Sequence, residues 1–113
     1  MQPITVTTSD ASGGAVSSSI VALDPWTAPV NVSLGVTVTG TVNYTVQYTL
    51  DNIQLDTWTA ATGVWWNITA LTTQITSVVS VLTQPATAVR IVQNSGNGST
   101  SMTVLQAGGN GTW

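Results

Sequence analysis

The sequence predicts an all-β chain: an antiparallel β-sandwich, Ig-like or jelly-roll-like, of seven to eight strands. Three observations lead there. The first is strict alternation between Val30 and Leu50, where Val30, Val32, Leu34, Val36 and Val38 take every second place and Gly40 breaks the run. The pattern then resumes in Val42, Tyr44, Val46, Tyr48 and Leu50, with Thr, Asn and Gln between. Successive side chains on a strand point to opposite faces, so each run has one apolar face and one hydroxyl or amide face. The second observation is the abundance of β-branched Val and Thr, which suit a pleated surface and lose rotamer freedom in a helix. The third is punctuation by Gly, Pro, Asn and Asp at short intervals, the rhythm of an antiparallel sandwich.

Taken in order, Ile4 to Ser9 alternates and reads as an opening edge strand. Asp10 to Gly14 is a turn, because glycines accept positive φ and Asp bonds its own backbone. Val16 to Leu23 is a second strand ended by Asp24-Pro25, and Trp26 to Pro29 connects it to the two alternating runs. These runs are strands long enough to cross a domain, with the valine and tyrosine side facing the core. Asp51 to Ala61 is a longer loop, and Thr62-Gly63 turns into a strand over Val64 to Ile68, where Trp65 and Trp66 face opposite sides and one of them lies inside. Ile68, Leu71, Ile75, Val78 and Leu82 also fit a helical period. The Thr, Val and Ser between them favour a loop followed by a strand over Gln74 to Leu82. Ala88 to Gln93 and Thr100 to Gln106 flank Asn94-Ser-Gly-Asn-Gly98 and read as a hairpin. The whole chain, 1–113, is one sandwich domain, with 107–113 a Gly-rich C-terminal tail.

At 113 residues the chain buries roughly two thirds of its unfolded surface, enough for a core without disulfides. There is no Cys, His, Glu or Lys; Asp10, Asp24, Asp51, Asp56 and Arg90 are the ionised side chains. One Arg cannot neutralise a phosphate backbone, which excludes nucleic acid as a partner. No apolar run approaches the ~20 residues of a membrane helix, and Met1-Gln-Pro-Ile4 lacks the basic start and apolar core of a secretory signal. The expectation is synthesis in a cytoplasm, no membrane partner, and a surface of Thr, Ser, Asn, Gln and Gly that looks extracellular.

Catalytic material is scarce. Acid–base and nucleophilic sites draw on His, Cys, Glu or Lys, so no catalytic residue is assigned and the chain reads as non-enzymatic. Asp51, Asn52 and Asp56 share one loop and could ligate calcium, but their spacing matches no EF-hand loop and side-chain bonds to the turn backbone explain them without an ion; no metal and no cofactor is assigned. Arg90, within Ala88-Val-Arg-Ile-Val92, is expected on the polar face with its stem along the sheet. Five tryptophans are many for this length. Trp26, Trp58 and Trp113, in loops or at the terminus, are the candidate interface residues, because a large ring there needs a neighbouring surface. Asn31, Asn43, Asn67, Asn97 and Asn110 each head an N-glycosylation pattern. Strand alternation places Asn and Thr or Ser two apart without any modification, and these are read as unmodified.

Val46-Gln-Tyr-Thr-Leu-Asp51 followed by Trp58, then Pro85-Ala-Thr-Ala-Val-Arg-Ile91 and Ser101-Met-Thr-Val-Leu-Gln106, resemble a group of small virion proteins of tailed bacteriophages. The same pattern is also similar to discoidin-like carbohydrate-binding sandwiches. The first resemblance implies a β-sandwich accessory subunit of the virion, assembled in the host cytoplasm, such as a capsid (head) decoration protein. Its partners would be the major capsid protein, other virion proteins or further copies of itself on a lattice. The alternatives are a receptor- or glycan-binding module of a head or tail fibre, and a neck or tail accessory subunit. No catalytic or ligand residue carries over, and the first forty positions lie outside the resemblance.

Overall fold

The computed structural model describes residues 3–9, 16–23 and 31–107. Nine strands form there: β1 (Ile4–Ser9), β2 (Val16–Ser17), β3 (Val21–Ala22), β4 (Asn31–Thr39), β5 (Asn43–Thr49), β6 (Trp65–Asn67), β7 (Val78–Leu82), β8 (Ala88–Ser95) and β9 (Ser99–Ala107). A single 3-10 turn, Thr69–Leu71, follows β6. One sheet runs β1-β9-β4-β7; the other runs β2-β8-β5-β6, with β3 also on β8. Every pairing is antiparallel. Apart from β2 to β3 and β5 to β6, each connection crosses from one sheet to the other. This strand order is that of a jelly roll, the second of the two expected arrangements.

The extra strand comes from the segment expected as one strand over Val16 to Leu23. From Ser17 to Val21 the chain takes four steps while β8 takes three, from Val92 to Val89. One residue is therefore surplus. Ser18 absorbs it: its N–H donates to Ile91 O, and its Oγ accepts from the Ile91 N–H at 3.1 Å. A serine side chain that takes over a backbone bond interrupts the ladder and leaves two short pieces.

Core formation follows the alternation. Val32, Leu34 and Val36 of β4, Tyr44 and Val46 of β5, Val89 and Ile91 of β8, and Met102 and Val104 of β9 join one buried cluster. Tyr44 hides its ring and donates its hydroxyl to Thr76 O at 2.7 Å, so its polar end is satisfied where the sheet meets the loop. The two alternating runs lie in opposite sheets. Val42, just past the corner at Gly40, is already in the core.

The hairpin expected around 94–98 is instead an arch between sheets, since β8 and β9 pair with different partners. It wraps tightly over the β4–β5 corner. A Cβ on Gly96 would stand 2.2 Å from Thr41 O, and one on Gly98 2.2 Å from Thr39 O. Gly96 also has φ +96°, a region L side chains rarely adopt. Beneath the arch, fully buried Gln93 uses its whole amide. Its Nε2 donates to Gly96 O and Gly98 O, and its Oε1 accepts from Thr8 and Thr100. A buried amide is tolerated because every group it carries has a partner.

Four further expectations change. The strand over Gln74 to Leu82 starts at Val78; Gln74 makes only an isolated bridge with Tyr44. Neither Trp65 nor Trp66 enters the core: Trp65 is half-buried and Trp66 is 51 % exposed, because β6 is an edge strand. The polar face of β5 is not a solvent face either. Thr45 and Thr49 are buried there, under the long excursion between β5 and β7. The strand expected over Thr100 to Gln106 runs to Ala107, one residue into the expected tail. The rest of that tail and the expected turns at Asp10 to Gly14 and Asp24-Pro25 lie outside the described residues.

Candidate functional site

The excursion between β5 and β7 begins over the outer face of the five-stranded sheet, forms that sheet's edge as β6, and then sends Ile68 and Leu71 into the core; Asp51 ties down its first half. Oδ2 of Asp51 accepts from Trp58 Nε1 at 2.9 Å and from the Val64 backbone N–H at 2.8 Å. Its carbonyl accepts from the Thr87 hydroxyl, and its own N–H donates to Thr49 Oγ1. One carboxylate thus closes the loop from Asp51 to Val64. The hydrogen bond from Trp58, with that from Val64 behind it, holds the Asp51 carboxyl below the ordinary carboxylate range. Asn52 works locally, accepting from the Gln54 N–H in an Asx turn.

Above the sheet, Trp58 and Trp65 meet with ring centroids 6.2 Å apart, tilted by 55°. Trp65 donates its indole N–H to Ala60 O. The Arg90 guanidinium sits 4.2 Å from the Trp65 centroid, within cation–π range. Arg90 therefore takes the polar face, as its place in the strand predicts, and is covered there by a ring. Burial pushes its pKa below the usual guanidinium value. Arg90 Nε donates to Gln47 Oε1 at 2.9 Å, and Gln47 Nε2 donates to Asn67 Oδ1 at 2.9 Å. Arginine has donors only, so it dictates the direction of this relay: the Gln47 oxygen faces Arg90, and the Asn67 NH2 faces outward.

A second feature lies on the other sheet. Among the described residues, strand β7 is an edge, hydrogen-bonded to β4 alone. It reads Val78-Val79-Ser80-Val81-Leu82 and turns Val79 (77 % exposed) and Val81 (51 %) outward. Leu105, across Ser33 from Val81, extends the apolar row, and exposed Ile75 precedes the strand. Gly35, opposite Val79, adds no side chain, which leaves Val79 standing clear of its neighbour. No charge, proline or bulge blunts this edge, the devices by which edges usually avoid pairing with other chains.

Of the three candidate interface tryptophans, Trp26 and Trp113 lie outside the described residues. Trp58 is half-buried in its own loop, tied to Asp51 and tilted against Trp65, which makes it a brace of the excursion. Its ring also stands 2.9 Å from where a Gly63 Cβ would be. Asp51 and Asp56 do not converge with a third carboxylate, histidine or cysteine; among the described residues no such group of three occurs. No helix among the described residues is long and apolar enough to cross a membrane. Sequence reasoning missed β7 as a surface, because alternation marks which residues share a face and not which strand is left at an edge. No protein-family model, curated protein or solved structure matches this chain.

Proposed function

We propose that this protein is a non-enzymatic structural subunit of a bacteriophage virion, a capsid decoration or accessory protein present in many copies. The observation that carries the reading is the apolar edge of β7, unpaired on one side among the described residues. Its occupant is a second copy of this chain. Antiparallel pairing of β7 about Ser80 sets Val79 against Val81 of the second copy and Val78 against its Leu82, so the edge complements itself. That is the requirement for a two-fold contact, and pairing would also satisfy the open backbone groups. The uncharged sequence of the strand sets no repulsion against such a contact. The resemblance of Val46 to Gln106 to small virion proteins supplies the context, and jelly rolls recur in viral capsid domains. Repetition around a lattice multiplies contacts that are individually modest.

Quantitative mass spectrometry of purified particles, with heat release of DNA from particles lacking the subunit, tests this. The reading expects copies in the hundreds and a lower release temperature without them. A dozen copies or fewer, with unchanged release, would overturn decoration in favour of the neck or tail.

A further inference from the structure

We infer that a cleft of about 470 Å³ on the outer face of the five-stranded sheet binds a neutral saccharide. The cleft is lined only by amide and hydroxyl side chains, among them Asn43, Thr45, Gln47, Asn67, Thr73 and Asn94. Its size lies within the ~300–1,000 Å³ range of small-molecule sites.

Three features distinguish it from an ordinary polar sheet face. The first is a β-bulge: Tyr44 pairs with Gln93 and Asn43 with Ser95, leaving Asn94 opposite no residue. The bulge aims Asn94 across the strand, where its Nδ2 donates to Asn43 Oδ1 and Thr45 Oγ1. Bulges commonly re-aim side chains beside functional sites. The second is Thr73, a β-branched residue held at φ 51°, where Gly or Asn would sit with less strain. Its N–H donates to the buried Thr45 hydroxyl, which fixes the cleft wall against the floor. Strained backbone of this kind clusters at ligand sites.

The third feature is what the hydrogen bonds leave over. Asn43 and Asn67 both spend their oxygen inside the network, as acceptors from Asn94 and Gln47, so each offers its NH2 to the cleft. Asn94 spends its NH2 and offers its oxygen. The opening therefore presents donors and an acceptor together, with no carboxylate or cation among the lining residues. An anion finds no counter-charge, a cation no carboxylate, and an apolar ligand no greasy wall. Vicinal hydroxyls, each of which donates and accepts, match this set. A peptide strand is a poorer match, because the cleft lies on a sheet face and strand addition requires an edge. Arg90 is committed to Trp65, and no aromatic ring lines the cleft, so the affinity expected is weak, with Kd on the order of 1 mM.

The inference is independent of the virion reading. Its test is 15N-resolved titration of the full chain with maltotriose, cellotriose and N,N′,N″-triacetylchitotriose, each up to about 20 mM, with trigalacturonate as the charged counter-probe. At least one neutral sugar should saturably shift the side-chain amides of Asn43, Asn67 and Asn94, and trigalacturonate should not. Asn67→Asp and Asn94→Asp each replace one half of the offered pattern and should weaken binding about tenfold or more. Asn52→Asp, in the distant turn, should leave it unchanged. Spectra superimposable away from the cleft verify the fold, and either cleft variant suffices if the other disturbs it. No shift with any neutral sugar, equal shifts with trigalacturonate, or full affinity in the correctly folded cleft variants would overturn the inference.

Discussion

Two ionisable side chains give the fold opposite pH limits, and each has a local cause. Asp51 has a lowered pKa because Trp58 Nε1 and the Val64 N–H favour its charged form. In the unfolded chain it titrates near ~3.9, so its contribution is present above that pH and lost as pH falls through the lower folded value. Thermal melts across acid pH should therefore show a loss of stability that Asp51→Asn largely flattens; an identical acid limb in the variant would contradict the role given to this carboxylate. Tyr44 behaves in reverse. Burial raises its pKa, so its contribution is intact below the unfolded value of about 10 and is lost as pH rises beyond it. Tyr44→Phe should lose the bond to Thr76 at neutral pH, costing about 1 kcal/mol, and melt less steeply in alkali. Thr73 holds a strained backbone for a β-branched residue, at φ 51°. Thr73→Asn, compatible with positive φ, should raise stability by roughly 1 kcal/mol in denaturant titration, and a drop of that size would show that φ 51° is not the costly feature.

At the scale of elements, β4 and β5 separate what alternation reveals from what it hides. On β4 it assigns both faces: Val36 is buried, Thr37 is exposed, and the excursion leaves that strand uncovered. Val36→Asp should abolish folding, since an unpaired buried carboxylate costs several kcal/mol of a total of about 5–15, whereas Thr37→Asp should leave the melting temperature almost unchanged. On β5 the same reasoning marks Val46 as core, correctly, and Thr45 as solvent-facing, incorrectly. Thr45 accepts from the Thr73 N–H and from Asn94 beneath a covering loop, so Thr45→Asp should be nearly as damaging as Val46→Asp. Equal tolerance of Thr37→Asp and Thr45→Asp would show that the excursion does not cover the sheet in solution. Long-range pairing was likewise illegible. Asn94 to Gly98 has the composition of a hairpin, yet buried Gln93 and the fit of Gly96 and Gly98 over Thr39 and Thr41 make it an arch. The relay from Arg90 through Gln47 to Asn67 joins three strands that only the sheet order brings side by side. Residues that are far apart in sequence and polar on both sides leave no periodic trace.

For the whole molecule, we propose association through the β7 edge. The sandwich closes a core between its sheets, while among the described residues β7 keeps one side unpaired and two valines turned outward. Val81 is half-exposed, so Val81→Lys should change folding stability by no more than about 0.5 kcal/mol. In a paired edge the same lysine would stand against Val79 of the second copy and be stripped of water, which no partner there compensates. The most direct measurement is the number of copies retained on purified particles assembled with wild-type chain or with Val81→Lys, each variant first shown to melt alike. With pairing through β7, the lysine variant should fall about tenfold or more in occupancy, the equivalent of ~1.4 kcal/mol per contact. Equal occupancy of the two would contradict it.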